Sequence, residues 1–151
     1  MSVSQHPPDA AAQALAQATA AHLFEHDAAS RGLGLRVVDI APGFARLSMT
    51  VRPDMLNGHQ SCHGGFIFAL ADSAFAFACN SYNLRTVAAG CSIEYLAPAR
   101  AGALLTAAAR EQSRTGRTGV YDVAVTDDAG VCVALFRGKS HQIKGEVLGS
   151  D

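Results

Sequence analysis

Neither sign of charge dominates this chain. Its 151 residues carry 12 Lys+Arg against 13 Asp+Glu, a net charge of −1. That balance argues against nucleic acid as the main partner, because phosphate binding needs a basic surplus or stripe. Long apolar runs are missing too. The longest, around residues 66–79, falls short of the roughly 20 residues of a membrane-spanning helix and contains Asp72. No basic n-region followed by an apolar h-region opens the chain, so no signal peptide is expected. Cys62, Cys79, Cys91 and Cys132 form no C-x-x-C pair and no dense framework. They read as reduced thiols of a cytoplasmic protein. There is no G-x-S-x-G, no Walker loop and no G-x-G-x-x-G, which removes the commonest hydrolase, nucleotide-phosphate and dinucleotide signatures.

What is present is enough apolar material for one core, 49% of the chain. We expect a flexible N-terminus over 1–8, one domain over 9–143 and a loose tail over 144–151. Asp9 stands as N-cap before an Ala-rich helix to about His26, and Gly32 and Gly34 end that region. Leu35–Ile40 and Phe44–Val51 form a hairpin across Ala41-Pro42-Gly43. A loop over 52–63 leads into an apolar helix from Gly64 to about Asn83. Strand-like runs follow at Thr86–Leu96, Ala103–Gln112, Gly119–Thr126 and Val131–Ile143, with a turn signal at Asp127–Gly130. This is an α+β pattern, a curved antiparallel sheet wrapped on a central helix. A helix apolar all round must be covered on every side. A single sheet covers one flank, so the other flank is expected to meet a second copy of the chain.

The most informative stretch runs from Asn57 through His63-Gly64-Gly65 into Phe66-Ile67-Phe68-Ala69-Leu70-Ala71-Asp72. A polar loop ends in two glycines, and the apolar helix that starts there carries one acid. Ionised carboxylates are rarely buried unless paired or useful. The free N–H groups of a helix start, opened by glycine, suit developing negative charge. One reading is therefore an oxyanion donor at Gly64 with a working carboxylate at Asp72. The other is a tight loop-to-helix turn and a structural acid. His63 is a substrate-orienting group or a histidine bonding backbone at the helix start. Asn57 is suited to holding a carbonyl, or is a turn residue before Gly58. If the site is catalytic, helix geometry makes it composite. Eight positions separate Gly64 from Asp72, roughly 12 Å at about 1.5 Å per residue. Both groups must come within roughly 3 Å of one carbonyl. Two antiparallel copies meet that condition; one helix does not.

Other chemistries find weaker support. His59, Cys62 and His63 lie close together without a distant fourth ligand, so no metal is expected. Cys62-His63 lacks the upstream cysteine of haem attachment. Cys62 as a nucleophile beside a histidine needs a lowered thiol pKa. Asp54 and His59 have a spacing used by hydratases, without the Asn-Pro that usually lies between. Arg114 and Arg117, in Arg114-Thr115-Gly116-Arg117-Thr118-Gly119, either hold phosphates at a strand end or form a solvated turn.

The run from Asn57 to Ala76 closely resembles the hotdog-fold acyl-CoA thioesterases of the phenylacetate-degradation (PaaI) type. So do Met55-Leu56-Asn57-Gly58-His59, Ala78-Cys79-Asn80-Ser81, Thr118-Gly119-Val120-Tyr121-Asp122 and Val133 to His141, so the likeness covers nearly the whole chain. It implies a hotdog fold with five or six strands, joined edge to edge into dimers that pair as a tetramer. It implies Asp72 as the carboxylate that activates water or attacks the thioester, and the Gly64 N–H as the group polarising the carbonyl. Asn57 would hold that carbonyl or the water, and His63 would lie near the sulfur. Some relatives place a hydroxyl residue where this chain has Ala88 and Ala89, which leaves the water without an assigned partner; neither Ser92 nor Thr86 is given that role. The expected substrate is phenylacetyl-CoA or hydroxyphenylacetyl-CoA, with Gly65, Phe66, Phe68, Arg114 and Arg117 as binding residues and Phe75 and Tyr82 as further apolar wall; the four aromatics read equally well as core. Coenzyme A is then part of the substrate, and no cofactor is expected. A hotdog hydratase or dehydratase and a non-catalytic acyl-CoA-binding protein are the alternatives. Release of free CoA thiol separates the first reading from both.

Overall fold

The computed structural model describes residues 7–149. Residues 1–6 of the expected flexible N-terminus and 150–151 of the expected tail lie outside it. Helix α1 spans Ala10–Glu25, with the Asp9 carboxylate accepting from the Ala11 N–H as its N-cap. A short helix α2, Ala28–Gly32, follows at once and was not expected. Its N-cap Asp27 accepts from both the N–H and the hydroxyl of Ser30, so a local cap makes a turn of helix where only glycines had been read as a stop.

Strands β1 (Arg36–Ala41) and β2 (Phe44–Thr50) form the expected hairpin. Pro42 presets one turn position and Gly43 takes the left-handed one, φ 70°. After the central helix α3 (Gly64–Cys79) come β3 (Leu84–Tyr95), β4 (Leu104–Thr115), β5 (Thr118–Thr126) and β6 (Cys132–Glu146). The six strands make one antiparallel sheet in the order β1-β2-β4-β5-β6-β3. Burial alternates along β4 to β6. Leu105, Ala107, Ala109, Tyr121, Val123, Val125, Ala134, Phe136, Gly138 and Ser140 face inward, so a period of two builds the concave face. Helix α3 packs on that face against all six strands. Gly138 shows how close the approach is: a Cβ there would meet the Phe75 ring at 2.8 Å.

Three boundaries differ from the sequence expectation. Helix α3 stops at Cys79, not near Asn83, because Asn80 folds back on the helix end. Its amide donates to Ala76 O and Thr86 O at 2.9 Å each and accepts from the Thr86 N–H at 3.0 Å. The β4–β5 hairpin is tighter than the expected turn over 114–119, so Arg114 lies within β4. At the far end β6 continues through Lys144 to Glu146, and Val147 is buried. The Val147 and Leu148 N–H groups donate to Asn83 O and Asn83 Oδ1. Backbone pairing with β3 and the α3–β3 loop thus orders residues that composition had marked as loose.

The far flank of α3 is partly covered by the chain itself. Phe77 is buried beside Phe24 of α1, ring centroids 6.4 Å apart, and Ser73 meets Ser30 of α2 at 3.3 Å. What stays half-open is a stripe through Gly65, Ala69, Asp72 and Ala76, the i, i+4 spacing of one helix face.

Candidate active site

The site is built where the loop over 56–63 enters α3. Asn57 Oδ1 accepts from the His59 N–H (2.9 Å), the Ser61 N–H (3.2 Å) and the Ser61 hydroxyl (3.3 Å). The Asn57 N–H donates to Ser61 O at 2.8 Å. Asn57 therefore holds the loop through its oxygen and keeps its amide donors for other work. The Cys62 N–H donates to Ala99 O and the His63 N–H to Met55 O, at 2.7 and 2.8 Å. His63 is then delivered as the N-cap of α3.

Its Nδ1 accepts from the Gly65 N–H at 2.9 Å, and its carbonyl accepts from the Phe66 N–H at 3.0 Å. An accepting Nδ1 places the proton of a neutral His63 on Nε2. The Gly64 N–H, by contrast, has no hydrogen-bond partner among the described residues. One donor is thus left open at the positive end of a 16-residue helix.

Beside it stands Tyr95, whose hydroxyl donates to Gly64 O at 2.8 Å. A Cβ on Gly64 would meet the Tyr95 ring at 2.9–3.2 Å. Glycine is required here by that close approach, as well as for access to the N–H. A cleft of about 500 Å³ opens at this point, lined by Asn57, Cys62, Gly64, Ile67, Tyr95 and Leu96 among others.

Asp72 lies two turns further along α3, outside that cleft. It is half-buried and has no cationic partner among the described residues. Burial pushes its carboxyl above the usual aspartate range, and a hydrogen bond from Cys91 works against that. The Cys91 thiol of β3 lies 3.9 Å from Asp72 Oδ1. Ala88 and Ala89, at a bulge in the same strand, bring no hydroxyl. Within one chain the open N–H and the carboxylate remain separated by the rise of the helix, roughly 12 Å.

The other candidates are scattered. Phe66 is half-buried with its ring edge-on to His63, centroids 6.1 Å apart. Phe68 and Phe75 pack on Phe136 at 5.4 and 5.9 Å, so both contribute to the core. Tyr82 lies at the opposite end of α3, its hydroxyl donating to Glu111 Oε2 at 2.6 Å. Arg114 stacks over the Tyr82 ring at 3.5 Å and faces Glu111 at 3.9 Å. Arg117 is exposed at the β4–β5 turn. Cys62 is buried, which pushes its thiol pKa up, the reverse of an activated nucleophile. No group of three or more His, Cys, Asp or Glu side chains among the described residues is placed to hold a metal.

Sequence reasoning had not singled out Tyr95, Cys91 or Glu111. Each acts through a contact 19 or more residues away in the chain, or at strand register, and nothing local marks it.

A helix wrapped by one antiparallel sheet is the hotdog architecture. The thioesterase superfamily model matches residues 59–134. The acyl-coenzyme A thioesterase PaaI of Escherichia coli is 50% identical over 127 residues, 84% of this chain and 91% of that protein. The solved E. coli PaaI protein, from the phenylacetic acid degradation operon, superposes with a TM-score of 0.88 at 48% identity, over 89% of this chain and 97% of that one. A Streptococcus mutans protein solved bound to acetyl CoA is 27% identical, with a TM-score of 0.71 over 74% of this chain and 90% of that one. The chain belongs to the thioesterase superfamily and is a thioesterase.

Proposed function

We propose that this enzyme hydrolyses aryl-acetyl-CoA thioesters, phenylacetyl-CoA or its ring-hydroxylated forms, in a site shared by two subunits in the cytoplasm. The observation that carries the mechanism is the Gly64 N–H left open at a capped helix start, combined with a half-buried Asp72 that has no cationic partner among the described residues, on the half-open face of the same helix. The thioester carbonyl lies against the Gly64 N–H of one chain. As the carbonyl carbon becomes tetrahedral, its oxygen gains negative charge, which that N–H and the helix dipole stabilise. Asp72 of the other chain, ionised, either takes a proton from the attacking water or attacks the carbon itself. The Asn57 amide and the His63 Nε2–H supply further donors at the mouth, toward the carbonyl or water and toward the leaving sulfur. CoA thiolate departs and is protonated; attack by water gives the free acid directly, whereas attack by Asp72 leaves a mixed anhydride that a second step, attack by water, hydrolyses to the free acid and the regenerated carboxylate. No metal or separate cofactor takes part in this reading.

Several observations support the partner arrangement. Strand β3 is a long sheet edge that is mostly exposed, Val87 (46%) and Tyr95 (51%) included. Such an edge is a template for pairing with another strand. The half-open stripe of α3 carries Asp72 toward whatever covers it. A dimer joined at β3, and a tetramer of such dimers, satisfies both. Arg117, and Arg114 where it sits against Tyr82, offer positive charge to CoA phosphates reaching along the partner's helix.

The aryl preference rests on the likeness to the phenylacetate-operon relative and on Tyr95, which lines the cleft beside Gly64. Thiol release from a panel of acyl-CoAs tests it. Phenylacetyl-CoA or its hydroxylated forms should give the highest kcat/KM, and a clear preference for palmitoyl-CoA would reject the substrate class while leaving thioester hydrolysis in place.

A further inference from the structure

The peptide unit joining Gly64 to Gly65 is held at both ends. Its oxygen accepts from the Tyr95 hydroxyl at 2.8 Å and its N–H donates to His63 Nδ1 at 2.9 Å. A Gly-Gly step is the freest backbone a chain can place at a helix start. Left unrestrained, this peptide can rotate and carry the neighbouring Gly64 N–H off its line. Tyr95 is itself well fixed. It pairs with Ala134 of β6, and the Leu96 and Ala97 N–H groups that follow donate to Val133 O at 2.8 and 3.3 Å. Its ring lies flush on Gly64, where a Cβ would come within 2.9 Å of Cζ.

We propose that Tyr95 is a positioning residue for thioester hydrolysis: through the Gly64 carbonyl it clamps the first turn of α3, with His63 as the opposite jaw, and so keeps the Gly64 N–H aimed at the developing oxyanion. The inference rests on the reading of Gly64 as that donor. A preorganised donor stabilises charge that appears only in the transition state, so loosening the clamp weakens kcat and leaves substrate binding alone.

Tyr95→Phe keeps the ring and removes one hydrogen bond. In the intact oligomer, kcat for an accepted acyl-CoA should fall about fivefold at unchanged KM, the factor a single lost hydrogen bond allows. Hydrogen exchange at the Gly65 amide, followed by NMR in the substrate-free enzyme, should quicken. Tyr95→Leu, which removes the ring as well, should lose about tenfold or more in kcat. Unchanged Gly65 exchange in Tyr95→Phe means there is no clamp. Faster exchange with kcat intact means that Tyr95 orders the helix start without serving the reaction, and a raised KM at constant kcat means that it contacts substrate; each overturns the inference. Gly64→Pro, which has no N–H to offer, separates the two levels. Full activity in that variant refutes Gly64 as the donor, whatever Tyr95→Phe does to Gly65 exchange.

Discussion

Asp72 is the residue whose environment says most about its use. Burial raises its carboxyl pKa and no cation among the described residues offsets this; the Cys91 thiol, 3.9 Å away, is a weak compensating donor. A folded-state pKa above the unfolded value means that the native protein holds this proton more tightly than the unfolded chain does. Its contribution to stability is therefore greatest below the unfolded pKa and is lost as pH rises through the raised one. At neutral pH the ionised group is a cost the fold carries, as working carboxylates commonly are. Asp72→Asn should then lower kcat by about 10²- to 10⁴-fold, the range for a lost general base, with a melting temperature equal to or above wild type. The acid limb of wild-type kcat/KM should lie above the ordinary aspartate range, because activity is lost as Asp72 takes up its proton. Wild-type turnover in Asp72→Asn, or a large drop in its Tm, would make the acid structural.

At the scale of elements, much of this fold was legible from the sequence. The Asp9 cap, the 41–43 hairpin turn, the Asp127–Gly130 turn and the period of two along β4 to β6 are local signals, and local hydrogen bonds realise them. So is the glycine start of α3, which placed Gly64, His63 and Asp72 on one element. The parts that were not legible have two origins. The Asp27 cap that nucleates α2 and the stop of α3 at Asn80 are side chains folding onto nearby backbone, which composition does not announce, and the order of residues 144–148 comes from pairing with β3 and with Asn83, more than sixty residues away in the chain. The packing of Phe68 and Phe75, which the sequence leaves open between substrate wall and core, depends on where Phe136 and Gly138 of β6 come to lie. Asn80 is the clearest of these joints. It binds α3 to β3 through Ala76 O, Thr86 O and the Thr86 N–H and is itself buried at 7% exposure. Asn80→Ala leaves those groups short of partners and should cost about 1–3 kcal/mol, measured as a lower urea midpoint at unchanged slope. A midpoint equal to wild type would show that water or the backbone replaces the amide at no cost.

For the whole molecule, the central question is how one carbonyl reaches both Gly64 and Asp72. Within a chain the helix keeps them roughly 12 Å apart, the far flank of α3 is only partly covered by α1 and α2, and β3 leaves a long open edge. The proposed two-fold dimer would bring the helix start of each chain to the carboxylate of the other, so that each of its two sites would draw on both subunits. Complementation tests this most directly. Gly64→Pro removes the N–H and Asp72→Ala removes the carboxylate, so each alone should be inactive while still assembling on size-exclusion chromatography. When equal amounts are unfolded and refolded together, about half of the dimers should be mixed, each with one site that joins an intact Gly64 to an intact Asp72. Thiol release should return to about a quarter of the wild-type rate. Mixed dimers shown to be present, for example by a tag on one variant, that nevertheless release no CoA would contradict the shared site.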